Sequence, residues 1–150
     1  MSATTQALPD YEPFPRGHIL LADNDLCAAE SRALALRRSG HTVELARDGR
    51  EAIALLQRQV FDLVLLEILM PETDGLEVLR WLRGRAAGRI TPVIAMCGGR
   101  SVLPGAVALD LAEALGASGR LHKPFSLDEL FSAVAFYMDT SPEAVRVSGA

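Results

Sequence analysis

The sequence predicts an α/β protein, in which helices cover both faces of a parallel β-sheet. Three observations support this fold class. The chain has 150 residues, which suits one domain, and 49% of them are hydrophobic, enough for a sizeable core. Short apolar runs recur along the chain, and a helical pattern of apolar residues follows each of them. Strands that alternate with helices in this way form parallel sheets, because each connection has to cross the sheet before the next strand begins.

Five short apolar runs predict the strands. Their β-branched residues and the Gly, Asp and Pro residues beside them favour buried strands over helix segments. The runs occupy residues 19–22, 42–46, 63–66, 93–96 and, more weakly, 121–122.

Five helices are predicted, one after each strand. Asp74 is expected to cap the third, and Ser126 with Glu129 forms a capping box for the fifth. Gly40 and Gly116 mark the ends of the first and fourth. The fourth helix is predicted over the Ala/Leu-rich residues 106–115. The predicted apolar faces of the other four are Leu26, Ala29, Ala33 and Leu36 in the first helix, Ala52, Leu55 and Leu56 in the second, Leu76, Leu79 and Leu82 in the third, and Leu127, Leu130, Phe131, Val134 and Met138 in the fifth.

Charge and cysteine content exclude several classes of partner. Fifteen basic and 19 acidic residues give a formal net charge of -4, whereas non-specific nucleic-acid or membrane binding needs a basic face. We therefore expect no nucleic-acid partner and no membrane association. Cys27 and Cys97 are too few for a disulfide framework, which predicts free thiols and a cytoplasmic location.

The two ends of the chain differ from the middle in composition. Residues 1–17 contain Pro9, Pro13 and Pro15 and lack the apolar core of a signal peptide, so they are predicted to form a flexible leader. Residues 139–150 are predicted to form a flexible tail. The folded domain is therefore expected to span residues 18–138.

Polar residues follow the predicted strands, where the working site of such a sheet lies. In open parallel sheets ligands bind beyond the carboxyl ends of the strands. We therefore expect these residues to meet in one cleft. They are Asp23-Asn24-Asp25 after the first strand, Glu67 after the third, Cys97-Gly98-Gly99 after the fourth and Lys123-Pro124-Phe125 after the fifth.

Four segments together resemble the receiver domain of bacterial two-component response regulators. They are A-R-D-G-R-E-A at 46–52, D-L-V-L-L-E-I-L-M-P-E-T-D-G-L-E-V-L at 62–79, P-V-I-A-M at 92–96 and G-A-S-G-R-L-H-K-P-F at 116–125. No single segment is decisive, but their order and spacing identify the family over about residues 18–138. The resemblance implies a flavodoxin-like (βα)5 sheet of strand order 2-1-3-4-5.

The resemblance also implies a phosphorylation site. In the family an aspartate that ends the third strand accepts a phosphoryl group, and Mg²⁺ bridges it to a carboxylate of the first strand. A lysine neutralises the phosphoryl charge. A Ser or Thr hydroxyl and an aromatic residue respond to it.

This sequence departs from the family at the carboxylates. Glu67 stands at the phosphoacceptor position, and the family's acidic pair corresponds to Asp23 and Asn24. An amide replaces one metal ligand, so we expect weak or no Mg²⁺ binding and no other cofactor. The candidate metal ligands are Asp23, Glu67 and the backbone of Leu69.

It also departs at the positions that respond to phosphorylation. Cys97 stands at the hydroxyl position and Arg120 at the aromatic position, whereas Lys123 and Pro124 are retained. The stretch 98–116 is about four residues longer than the resemblance implies, and we expect a rearranged, mobile entry to the fourth helix there.

These departures predict an atypical receiver that ordinary aspartyl phosphorylation does not switch. A shift of about 1 Å at the reacting group can reduce a rate about a hundredfold. The chain is expected to be no enzyme and to act as a stand-alone module through protein contacts on the face of the fourth helix, fifth strand and fifth helix. Expected partners are a histidine kinase, another regulator or a second copy of the chain.

Several alternatives stay open at this point. Glu67 and Lys123 could form a purely structural ion pair, or Glu67 could lock either an active-like or an inactive-like state. Asp23 and Asn24 could also cap the first helix. Cys97 is either a redox sensor, if Lys123 lowers its pKa, or an inert core residue. The competing functions are a conventional receiver that phosphorylates poorly and a flavodoxin-like ligand-binding protein or enzyme.

Overall fold

The computed structural model describes residues 16–85, 90–98 and 104–139. Strands and helices alternate along the whole of this part of the chain, as the sequence predicts. In order they are β1 (His18–Ala22), α1 (Leu26–Arg38), β2 (Thr42–Ala46), α2 (Gly49–Arg58), β3 (Leu63–Glu67), α3 (Gly75–Arg83), β4 (Val93–Cys97), α4 (Gly105–Ala114), β5 (Gly119–His122) and α5 (Leu127–Asp139).

The five strands form one parallel sheet in the order β2-β1-β3-β4-β5. This confirms the predicted α/β class and strand order. The chain reverses its direction of strand addition between β1 and β3, and a site-forming crevice arises at such a reversal. The ends of β1 and β3 therefore lie side by side, and Ala22 pairs with Leu66.

Two apolar layers cover the sheet. Successive side chains of a strand point to opposite faces, so Leu63 and Leu65 of β3 enter one layer while Val64 and Leu66 enter the other. The first layer packs on α1 and α5, and the second packs on α2, α3 and α4. All five residues of β3 and of β4 are buried, which explains their uninterrupted apolar runs in the sequence.

The strands are longer than predicted where the sequence signal weakens. The strand β5 begins at Gly119 and not at residue 121, because buried and exposed residues alternate along this edge strand and leave no continuous apolar run. The strands β3 and β4 each extend one residue further, through Glu67 and Cys97, into the site itself.

Helix ends follow the predicted signals in most places. Asp74 accepts the N–H of Glu77 at 2.9 Å, and Ser126 Oγ accepts the N–H of Glu129 at 3.1 Å. After α1 and α4, Gly40 and Gly116 adopt φ angles of 98° and 107°, which an L-residue rarely adopts.

Three sequence predictions about helices were wrong. The N-cap of α1 is Asp25, whose carboxylate accepts the N–H of Ala28 at 3.3 Å, and not Asp23 or Asn24. Leu26 and Leu127 are 45% and 49% exposed instead of buried. Each is the first residue of its helix, and helical side chains lean toward the N-terminus, so these two lie beyond the packed layer.

The predicted ends of the chain fall mostly outside the described residues. Residues 1–15 and 140–150 of the predicted leader and tail are not among them, and neither are residues 99–103 of the predicted rearranged stretch. Gly17, assigned to the leader, already takes part in the fold: its carbonyl accepts the N–H of Thr42 at 3.0 Å. Within the described residues, no helix is long and apolar enough to span a membrane.

Candidate functional site

Three charged side chains from three strand ends meet at one edge of the sheet. Asp23 follows β1, Glu67 ends β3 and Lys123 follows β5. Lys123 Nζ lies 2.9 Å from Asp23 Oδ2 and 2.6 Å from Glu67 Oε2. The sequence-predicted cleft is therefore present, and Lys123 joins the two carboxylates within it.

The backbone of Lys123 is fixed by the neighbouring strand. Its N–H donates to the carbonyl of Cys97, the last residue of β4, at 2.8 Å. The peptide bond between Lys123 and Pro124 is cis. The α carbon of Gly98 lies so close to Lys123 that an added Cβ would stand 2.6 Å from its carbonyl oxygen. The lysine is thus held by strand pairing and by close backbone packing.

Asp23 is fully buried and has partners for both carboxylate oxygens. Its Oδ1 accepts the N–H of Asp25 at 3.0 Å, and its Oδ2 contacts Lys123 and also Arg32 of α1 at 3.2 Å. Asn24, which corresponds to the second acid of the family, is exposed to solvent. Only one of the two predicted first-strand groups therefore faces the inside of the pocket.

Glu67 is 4% exposed and lies between Lys123 and the loop that follows β3. Its Oε1 accepts the N–H of Leu69 at 3.3 Å. Its Oε2 contacts Lys123 as an ion pair without the alignment of a hydrogen bond. Burial raises the pKa of Glu67 above its ordinary value, and the lysine lowers it again without cancelling that effect.

The two carboxylates outweigh the effect of burial on Lys123. Burial by itself lowers the pKa of this ammonium group, but contacts with Glu67 and Asp23 leave it above its ordinary value. The lysine therefore stays protonated at neutral pH. It supplies a permanent positive charge to a pocket that contains two acids.

The donor set does not fit Mg²⁺, the ion that the family implies. This small cation needs several oxygen ligands in near-octahedral geometry. All four carboxylate oxygens of Asp23 and Glu67 already contact an N–H group or a cationic side chain. The described residues also contain no cluster of three or more Asp, Glu, His or Cys side chains that could hold a metal.

Arg32 is the site residue that the sequence analysis missed. Its guanidinium group contacts Asp23 and lies over the ring of Phe125, 4.5 Å from the ring centroid. The sequence contains one indication of this role: Arg32 is a charged residue beside the apolar face of α1 that Ala29, Ala33 and Leu36 form. A charged residue at such a position either leaves the core or pairs with a buried opposite charge.

Cys97 is a buried core residue. It has no exposed surface, and it packs in the layer that faces α2, α3 and α4. Burial raises the pKa of its thiol, and the negative charge of Glu67 raises it further. Since a reactive thiol needs a lowered pKa and access to solvent, the geometry favours the inert alternative for Cys97.

This burial leads to a test by alkylation. In the native chain iodoacetamide is expected to modify Cys27, which is exposed, and to leave Cys97 unmodified. Peptide mass mapping after short labelling measures both thiols at once. In urea both cysteines should react, which serves as the control. Equal labelling of the two thiols in the native chain would contradict the buried position of Cys97.

Arg120 lies away from the charged pocket, on the outer side of β5. It donates to Glu113 at 2.8 Å and to Asp110 at 2.9 Å, both on α4. The residue at the family's aromatic position is therefore engaged by the neighbouring helix. Its place in this structure is on the surface formed by α4 and β5.

Comparisons with known proteins identify the family of the chain. A family model described as the response regulator receiver domain matches residues 19–135. The chain belongs to this family. It is 39% identical over 126 residues to response regulator MprA of Mycolicibacterium vanbaalenii, a match that covers 83% of this chain and 52% of MprA. The chain thus spans about half the length of the curated relatives it matches.

Solved receiver domains share the fold as well. The receiver domain of the Francisella response regulator 1452 is 29% identical, with a TM-score of 0.72 over 83% of this chain and 98% of that one. The receiver domain of a signal transduction histidine kinase from Syntrophus aciditrophicus is 30% identical, also with a TM-score of 0.72, over 82% and 90% of the two chains. These matches do not favour the competing flavodoxin-like enzyme or ligand-binding protein.

Proposed function

We propose that this receiver domain signals through protein contacts and that phosphorylation at the position of Glu67 does not switch it. The observation that carries the proposal is the ion pair of Glu67 with Lys123, at 2.6 Å. In the family this lysine neutralises a phosphoryl group. Here a resident carboxylate already occupies it.

The charge of the pocket supports a fixed state. A phosphoryl group brings nearly two negative charges and three acceptor oxygens, whereas Glu67 offers one charge and two oxygens. Because Glu67 is part of the chain, its carboxyl group is a permanent part of the pocket and stays in contact with Lys123. A conformational equilibrium shifts only when a ligand binds one state more tightly than the other, and Glu67 provides no such difference. We therefore propose that the pocket stays in one conformation.

The surface of α4, β5 and α5 is the proposed contact face. Arg120 of β5 forms ion pairs with two acids of α4 on this surface, and Phe136 of α5 is 60% exposed. An exposed aromatic side chain suits contact with a protein partner more than binding of a small molecule. Receiver domains in general interact with histidine kinases and other proteins, so a kinase or another regulator is the proposed partner class.

A phosphodonor experiment tests the proposal. The native chain is incubated with acetyl phosphate and Mg²⁺, and its intact mass is measured over time. We expect no phosphoryl adduct, because Glu67 is paired with Lys123 and the donor set does not fit the ion. A conventional receiver with an aspartate at this position, treated in the same way, confirms that the donor is active. An adduct on Glu67 would refute the proposal.

A further inference from the structure

Arg32 places a second positive charge in the pocket, beside Asp23. Its Nη1 lies 3.2 Å from Asp23 Oδ2, the oxygen that also contacts Lys123. The side chain of Arg32 is only 16% exposed. The pocket therefore contains two buried carboxylates and two cationic side chains, and their formal charges cancel.

The guanidinium group of Arg32 also packs on the aromatic ring of Phe125. The ring centroid of Phe125 lies 4.5 Å from the guanidinium carbon, a distance at which a cation and an aromatic face attract each other. Phe125 directly precedes Ser126, which caps α5. Arg32 is thus fixed between an acid at the end of β1 and a ring at the start of α5, and its position is not that of a solvated surface charge.

We propose that Arg32 is the built-in cation of this pocket and that it keeps Mg²⁺ out by occupying the carboxylate of Asp23. The inference deepens the proposed function and rests on it, because it explains how the acids are neutralised when no phosphoryl group and no metal take part. Arginine suits this role: it keeps its charge at every physiological pH, is weakly hydrated and stacks on aromatic rings.

Two physical effects follow from this placement. A divalent cation that approached Asp23 would meet two positive side chains at contact distance, and Coulomb repulsion of this kind is strong in a partly buried pocket. The ion would also need an oxygen that Arg32 now engages, while Mg²⁺ gives up its water ligands reluctantly. Removal of the guanidinium charge should therefore restore some affinity for the ion.

A metal titration tests Arg32 directly. Binding of MgCl2 is measured by calorimetry, and Mn²⁺ serves as a paramagnetic probe whose effect on amide signals locates the ion. The variant Arg32→Met keeps an apolar side chain against Phe125. We expect its affinity for Mg²⁺ to be at least about tenfold higher than that of the native chain. Amide signals next to Asp23 and Glu67 should broaden with Mn²⁺.

Three further variants separate charge from packing. Arg38→Met removes one positive charge from the exposed last turn of the same helix and is expected to bind Mg²⁺ as weakly as the native chain. Arg32→Lys keeps the charge and should also bind weakly. Arg32→Gln serves as a second uncharged variant if the methionine variant does not show a native circular dichroism spectrum.

Two results would overturn the inference. If the native chain itself binds Mg²⁺ in the titration, and Mn²⁺ broadens its amide signals next to Asp23, Arg32 does not exclude the ion. If neither uncharged variant gains affinity, other features of the pocket exclude it and Arg32 is not the deciding group. The proposed function is tested separately, because it is refuted by a phosphoryl group on Glu67 and not by the metal titration.

Discussion

The variant Lys123→Ala is expected to unfold at a markedly lower urea concentration than the native chain. Lys123 contacts two carboxylates that are 0% and 5% exposed, and its removal leaves Glu67 without its cationic partner in a buried position. Loss of one partner of a buried ion pair costs about 3 kcal/mol or more. Equilibrium unfolding in urea, followed by circular dichroism, measures this loss as a lower midpoint at an unchanged slope.

A matched control is available on the surface. Arg120 also contacts two carboxylates, those of Asp110 and Glu113, but all three side chains are at least 40% exposed. Because exposed ion pairs contribute little to stability, Arg120→Ala should leave the midpoint nearly unchanged. If both variants shifted the midpoint equally, the charged pocket would not be the stabilising feature that its burial implies.

The variant Gly75→Ala is expected to be nearly as damaging, for a steric reason. A Cβ at Gly75 would lie 2.3 Å from the carbonyl oxygen of Glu67 and 2.7 Å from the Cα of Ile68. Both are backbone atoms, so the start of α3 must move away from the end of β3. Overpacking of this kind costs about 1–3 kcal/mol, and we expect the upper part of that range. Unfolding in urea measures it.

The other end of α3 offers the control for this substitution. Gly84 caps the helix with φ -75° and ψ -9°, which an alanine adopts without strain. An added Cβ there comes no closer than 3.1 Å to another atom, the carbonyl oxygen of Arg80. Gly84→Ala should therefore change stability by less than about 1 kcal/mol. A loss as large as that of Gly75→Ala would show that helix propensity or another general effect dominates, and not the contact with β3.

The sequence was sufficient to predict the architecture because the pattern and the packing agree. The strands β3 and β4 are buried on both faces, and all of their residues except Glu67 at the end of β3 are apolar. For this reason their uninterrupted apolar runs predicted two buried strands. The edge strand β5 is buried on one face only, so its sequence contains no continuous apolar run. The predicted start of this strand was therefore wrong by two residues.

The site was predictable only as far as strand order determines proximity. Asp23 and Lys123 follow β1 and β5, Glu67 is the last residue of β3, and the structure brings the three together at the carboxyl ends of the strands. The contact of Arg32 with Asp23 was not predicted, because Arg32 lies on a helix nine residues later and its direction depends on how α1 packs on the sheet. The sequence shows only that a charged residue lies beside the apolar residues of α1, and this does not reveal which group the residue contacts.

The division of the core by the sheet has a consequence for how the sequence can vary. Leu65 and Leu66 are adjacent in the chain, yet they pack in separate layers, one against α1 and α5 and the other against α2, α3 and α4. Side chains on opposite sides share few partners, so changes in one layer should combine almost additively with changes in the other. Each half of the interior can therefore be redesigned, or can drift during evolution, with little correlated change in its counterpart.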